Sequence, residues 1–280
     1  QGRPKVVDGH VRMGSEFQLR DIDKGFAIVA SFPSLKKLPV IIGESDPEGC
    51  AACSVRFNPQ NAYRNGTMYS SYTAATFARK HELAAKHGVN FEGAVTWAFE
   101  FEDQPYFDGF RDLATNGIDK PVLNVFRMFG MMQGERVKAE SSGALGVEEM
   151  LQSGVKGRAD IGAMAVRGTN AIRTMVWNYH DDDVAVAPAE VALTVAGVPP
   201  AVDRVLVRHY RVDERHSNAY TVWKQMGSPQ QPSGEQYGAL EAAGQLRMVG
   251  SPQWVKARNG LMESRFALPR QGVSLVEVSW

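Results

Sequence analysis

The run LPVIIG at positions 38–43 carries no polar side chain, and amphipathic helical segments lie on both sides of it. A strand without polar alternation has no face to offer water, so it belongs in a parallel sheet covered on both sides. In the preceding segment, SEFQLRDIDKGFAIVASF, Ser15 stands as an N-cap with Gln18 at the capping-box spacing. Leu19, Ile22, Phe26 and Val29 then recur on one helical face. In the following segment, TMYSSYTAATFARKHELAAKHG, an apolar face runs from Ala74 through Phe77, Ala78 and His81 to Ala84 and Ala85, and Gly88 supplies a stop. FEGAVTWAFEF is a second strand candidate. DKPVLNVFRMFG is a third helix, with Asp119 as N-cap, Pro121 in its first turn, and Val122, Phe126 and Phe129 on one face. Helix, strand, helix, strand, helix predicts a parallel α/β architecture.

The rhythm changes near Gly134. From ERVKAESSG onward the chain reads as short β-rich stretches: TMVWNYH, EVALTVAGV, RVLVRHYRV, AYTVWKQM, SRFALP and VSLVEVSW. Turn-forming residues separate them, including the loop GSPQQPSGEQYG, as in a β-sandwich. The expected division is an α/β part over 1–133 and an all-β part over 134–280.

Among the 280 residues, 31 basic side chains balance 31 acidic ones, so charge gives no reason to expect nucleic acid or an anionic membrane as partner. No apolar run approaches the roughly 20 residues that span a bilayer. The sequence opens on Gln1 with no signal-peptide pattern, and the expectation is that the gene begins upstream. A bacterial cytoplasmic or periplasmic location is expected, and the oligomeric state is open.

Glu44 directly follows the apolar run. In parallel α/β barrels the reactive groups sit at the carboxyl ends of strands, where a rigidly held carboxylate can attack an anomeric carbon. On the local pattern alone a solvated loop glutamate is the better fit, and the next strand shifts the balance. The second strand places Trp97 near its end, with Glu100, Glu102, Asp103 and Tyr106 beyond. An aromatic platform beside carboxylates suits a sugar, with its apolar C–H face and polar rim, although a strand Trp is also ordinary core. Strict alternation puts Trp97 and Glu100 on opposite faces, so the strand must end or bulge between them.

PVIIGESDPEGC, YRNGTMYSSYTAATFARKHELA and GAVTWAFEFEDQPYFDGFRDLATNGIDKPVLNVFRMFG together resemble the carboxyl-terminal part of bacterial β-xylosidases of glycoside hydrolase family 39. The resemblance is dense over the α/β half and looser beyond it. It implies the last part of a (β/α)8 TIM barrel followed by an accessory β-sandwich, and hydrolysis of xylosides with retention. It also implies that Glu44 is the nucleophile at the end of the seventh barrel strand and Trp97 the floor of the sugar pocket. Glu100 and Glu102 then fall among the carboxylates that hold sugar hydroxyls. Xylo-oligosaccharides or other β-xylosides are the implied partners, and neither cofactor nor metal is implied.

A retaining glycosidase needs a second carboxyl about 5 to 5.5 Å from the first, to protonate the leaving oxygen. The family carries it in an Asn-Glu-Pro stretch, and that tripeptide does not occur here. Glu48, in the same loop as Glu44, does not stand across the sugar from it. Two strands also cannot close an eight-stranded barrel. The expectation is therefore a portion of a longer enzyme, inactive by itself as a xylosidase.

Other constellations point less far. Cys50 and Cys53 form a loop C-x-x-C pair, either bonded or as two inert thiols, and a thiol oxidoreductase is a rival reading. HDDD at 180–183 reads as a solvated turn, and His209, Arg211 and His216 as surface positions. Asn65 heads a glycosylation tripeptide that matters only in a secreted eukaryotic protein, and His10 lies in a loop that can approach the pocket. RMFGMM reads as core packing. An α-L-iduronidase and a non-catalytic carbohydrate-binding protein are the remaining alternatives.

Overall fold

The computed structural model describes residues 2–280. A short hairpin, β1 (Lys5–Val7) and β2 (His10–Arg12), leads into helix α1 (Ser15–Ala30). Ser15 is the first helical residue and not the cap; Gly14 holds the cap position without a side-chain bond. The Gln18 side chain is drawn away instead, donating to the Asp46 carbonyl at 3.0 Å. Strand β3 (Val40–Ile42) runs parallel to β4 (Phe91–Ala94), and helix α2 (Thr67–His87) joins them. A 3-10 turn over Pro59–Asn65 precedes α2, and Gly88 closes it at φ 62°, a left-handed conformation that glycine adopts without penalty.

Both strands are shorter than their apolar runs. β4 stops at Ala94, so FEGAVTWAFEF is not one strand, and a cis peptide follows between Trp97 and Ala98. Ile41 is 61% exposed, so β3 is not covered on both faces by the described residues, which contain no closed barrel. After the small hairpin of β5 (Ala114–Thr115) and β6 (Ile118–Asp119) comes α3 (Pro121–Met131). Its cap is Lys120, because Asp119 belongs to β6 and accepts from Arg127 at 2.6 Å.

The remainder holds β7 (Glu135–Val137), helix α4 (Val147–Ser153), β8 (Asp160–Arg167), β9 (Ala171–Tyr179), β10 (Ala189–Ala196) and β11 (Arg204–Val212). Helices α5 (Ala219–Gln225) and α6 (Gly234–Gly244) follow, then β12 (Arg247–Met248), β13 (Gln253–Lys256), β14 (Leu261–Leu268) and β15 (Val273–Ser279). Three helices correct the all-β reading. AYTVWKQM is helical because the Asn218 side chain caps the Thr221 amide at 3.0 Å and Trp223 packs against Phe107. α6 starts on a capping box of Ser233 and Gln236, inside the stretch read as a loop.

A seven-stranded antiparallel sheet runs β12-β11-β15-β9-β8-β7, with β13 also on β11. Val205, Val276, Val278 and Ile172 on one face share a core with Val195 and Met262 of the β10–β14 pair. On the other face Met175, Trp177, Val273 and Leu275 join the cluster of Leu19 and Phe26 from α1, Tyr72 and Leu83 from α2, and Val125 from α3. The sheet is therefore the wall against which the helices of the first half are set. Continuous burial across residue 134 fixes the position of α2, and α2 in turn carries the side chains that brace the mouth of β3.

Candidate active site

β3 ends at Ile42, and pairing with the neighbouring segment continues through the Ser45 amide, which donates to the Val95 carbonyl at 2.9 Å. This holds Glu44 at the strand mouth, where its side chain is 43% exposed. Beneath it lies Arg111, whose guanidinium is fully buried. Arg111 Nη2 donates to Glu44 Oε1, Nη1 to the Glu48 carbonyl, and Nε to the Trp97 carbonyl at 3.1 Å. One planar fork thus ties the carboxylate after β3 to the loop after β4.

Two further carboxylates complete the cluster. Asp46 is buried and accepts from Tyr69 of α2 and from Thr96. Its Oδ2 has no hydrogen-bond partner and lies 3.6 Å from Arg111. Burial raises its pKa against the lowering pull of Thr96, Arg111 and Tyr69. Glu48 pairs with Arg64 at 2.6 Å and accepts from Tyr63, and burial raises its pKa too. Arg64 is itself locked, donating to the Cys50 and Gly109 carbonyls at 2.7 and 2.9 Å, and desolvation lowers its pKa. Arg111 and Arg64 both donate to protein acceptors, and the buried Arg64 Nε alone of their nitrogens is left without a partner.

Trp97 is 56% exposed and meets Phe101 edge to face at 5.7 Å. A groove of about 320 Å³ runs from Glu44 and Ser45 along Val40, Ile42, Ile22 and Phe26. The structure therefore links Glu44 and Trp97 through Arg111. Since β4 has ended before Trp97, strand alternation does not govern where Glu100 points. Glu100 accepts from the Gly117 amide at 2.7 Å, and Glu102 is exposed with its carbonyl accepting from Gln104. Arg111, Arg64 and Asp46 escaped the sequence reading; the charged string GESDPE and the arginines of YRNG and GFRD were its only trace.

The other constellations resolve as scaffold. Cys50 and Cys53 are joined as a disulfide. HDDD is not a solvated turn: Asp181 is buried and accepts from Tyr179 at 2.6 Å and the Val155 amide at 2.9 Å, and Asp182 pairs with Arg12 at 2.6 Å. Arg211 is buried, and His209 packs against Phe266 with the rings tilted and its pKa lowered to about 4 by burial, so neither is a surface position. Asn65 is buried and donates to the Phe107 carbonyl at 2.7 Å, which closes it to glycosylation in the folded chain. His10 lines a separate hollow with Asp183 and Glu214. Among the described residues no His, Cys, Asp and Glu cluster is arranged to hold a metal, and no helix is long and apolar enough to cross a membrane.

Residues 11–258 match the profile of Glycosyl hydrolases family 39. The chain belongs to that family of glycoside hydrolases. It is 26% identical over 229 residues to the β-xylosidase of Geobacillus stearothermophilus, covering 79% of this chain and 39% of that protein. It is 32% identical over 247 residues to the α-L-iduronidase of Mus musculus, covering 79% of this chain and 35% of that protein. Among solved structures, a monomeric β-xylosidase from Caulobacter crescentus CB15 superposes with a TM-score of 0.72 at 16% identity, over 99% of this chain and 54% of that one. The family member described here thus shares the TIM-barrel-containing glycosidase fold over about half the length of that enzyme.

Proposed function

We propose that this chain forms the carboxyl-terminal part of a retaining exo-β-xylosidase, with Glu44 as nucleophile and the barrel completed by strands outside these residues. The observation that carries the reading is the single buried guanidinium of Arg111, which orients Glu44 and binds the carbonyl of the exposed Trp97. Glu44 attacks C1 of a terminal xylose and forms a glycosyl ester, while a second carboxyl from the rest of the barrel gives its proton to the leaving oxygen. Water, deprotonated by that second group, then attacks C1 and releases Glu44 as the carboxylate. Trp97 packs on the apolar sugar face, Glu102 meets hydroxyls, and Glu100 keeps one oxygen for that task while the other orders the loop at Gly117.

The neutral pentoside is favoured over an α-L-iduronide because Arg111 and Arg64 are already occupied by protein oxygens. A uronate brought into this cluster meets Glu44, Asp46 and Glu48, and the further cation near Asp46, Lys80, is buried. We place the accessory β-sandwich at 134–280, where it braces α2. The test is trapping with a 2-fluoro-xyloside on the complete polypeptide. The ester is expected on Glu44, and Glu44→Gln is expected to cut turnover by about 10³-fold or more with binding largely kept. A label on another residue, or none, defeats the assignment.

A further inference from the structure

Of the five tryptophans, Trp177 and Trp223 are buried at 0% and 8% exposure and Trp280 is half-buried. The other two show their indoles to solvent: Trp97 in the candidate active site and Trp254, at 59%, on β13. The register of the large sheet shows what surrounds Trp254. It pairs with Leu206 of β11, which pairs with Ser279 of β15. Arg204 and Lys256 face each other one step along, and Arg208, Glu277 and Arg173 form the next row on the same face. Pleating sets these rows about 7 Å apart along the strands and about 4.8 Å across them.

This end of the sheet face is open at its β13–β11 edge, where Arg204, Trp254 and Lys256 are exposed and Leu206 and Arg208 half-buried, while Glu277, Ala171 and Val166 further across it are buried. The polar groups are already oriented. Arg208 and Arg173 grip the two oxygens of Glu277 at 2.8 and 2.6 Å, Arg208 also reaches Ser279 at 3.5 Å, and Arg204 donates to the Trp254 carbonyl at 3.3 Å. Four cations stand against one carboxylate, so the face is positive although the chain as a whole is neutral.

We infer that this face is a second glycan-binding surface that takes an acidic polysaccharide, one whose sugars carry carboxylates. The indole of Trp254 and the Leu206 side chain offer a flat apolar seat to a pyranose ring. Arg204 and Lys256, exposed and outside the Glu277 ion pairs, meet a uronate on a neighbouring sugar, where a guanidinium fork matches a carboxylate in shape as well as charge. Single-stranded nucleic acid fits less well, since it stacks successive bases on several aromatics and here one indole stands among polar side chains. The surface is independent of the role of Glu44; only the choice of a xylan backbone as probe follows from the proposed activity.

The test is affinity gel electrophoresis of the full chain in glucuronoxylan, in the same polymer with its carboxyls reduced to alcohols, and in poly(U). The wild-type chain is expected to be retarded by glucuronoxylan, at least threefold less by the reduced polymer, and less as salt rises. Trp254→Ala should weaken retention about tenfold with an unchanged circular dichroism spectrum. Arg204→Gln combined with Lys256→Gln, both exposed, should weaken it about threefold without touching the Glu277 ion pairs. The inference is overturned by an unretarded wild-type chain, by folded Trp254→Ala retained like wild type, by equal retention in the reduced polymer, or by stronger retention in poly(U). It is also overturned if Trp97→Ala abolishes retention and Trp254→Ala does not, since binding then belongs to the Glu44 groove.

Discussion

Two buried carboxylate clusters brace this molecule, and they are built to opposite ends. At the seam between α2 and the sheet, Asp160 is fully buried and every lone-pair direction is used. Arg79 donates to both its oxygens at 3.0 and 3.1 Å, the Leu145 amide to Oδ1 at 2.8 Å and Trp177 to Oδ2 at 2.8 Å. At the mouth of β3, three carboxylates share two arginines, Asp46 Oδ2 has no hydrogen-bond partner, and Glu44 opens to solvent. A closed, saturated network specifies packing, whereas an open one with surplus negative charge leaves an acceptor oxygen for chemistry. The difference sets the proposed site apart from scaffold where sequence shows only acidic and basic letters in both places.

The largest expected effect belongs to the closed cluster. Asp160→Ala leaves Arg79 without its buried partner and strands the Trp177 and Leu145 donors, so urea denaturation should show a loss of about 3–5 kcal/mol. A loss below about 1 kcal/mol breaks the contrast, because the half-exposed Glu82 that also pairs with Arg79 then suffices to hold the cation at the seam. At the open cluster the expectation reverses. Arg111→Lys keeps the charge but loses the fork, so in the complete enzyme kcat should fall about 10- to 100-fold, with KM and the unfolding midpoint little changed. If the midpoint drops and kcat does not, Arg111 is a second Arg79 and the mouth of β3 is scaffold.

How much of this was legible depended on the range of the contacts. The apolar run before Glu44 and the aromatic Trp97 declared themselves locally, and both stand at the strand mouths. Helix α2 was readable because its small-residue face and Gly88 are local signals too. Arg111 was not, because its partners lie at 44, 48 and 97 and no periodicity connects them. α5 was misread for a related reason: Val, Trp and Tyr favour strands in isolation, and only the Asn218 cap and the contact with Phe107 overrule that preference. HDDD misled through the assumption that clustered acids face water, whereas Asp181 is the anchor where the first hairpin meets the sheet.

Asp181 also supplies the finest test of the contrast, since it lies at the seam yet lacks the cation that Asp160 has. Its donors are the neutral Tyr179 hydroxyl and Val155 amide, with Glu16 beside it adding like charge. Burial therefore lifts its pKa to about 6, above the ordinary 3.8. Between those values the folded chain holds the proton more tightly than the unfolded chain, so this group destabilises the fold as pH rises from about 4 to about 6. His209, lowered to about 4 by burial, acts in the opposite sense over that range, with stability lost as pH falls through it. Comparing wild type with Asp181→Asn cancels the histidine contribution. The variant should lack the downward component, so its stability relative to wild type should rise by on the order of 1–2 kcal/mol from pH 4 to pH 6. Parallel stability curves for the two proteins would mean that Asp181 ionises as easily in the fold as outside it, and that neutral donors at the seam serve a carboxylate as well as Arg79 does.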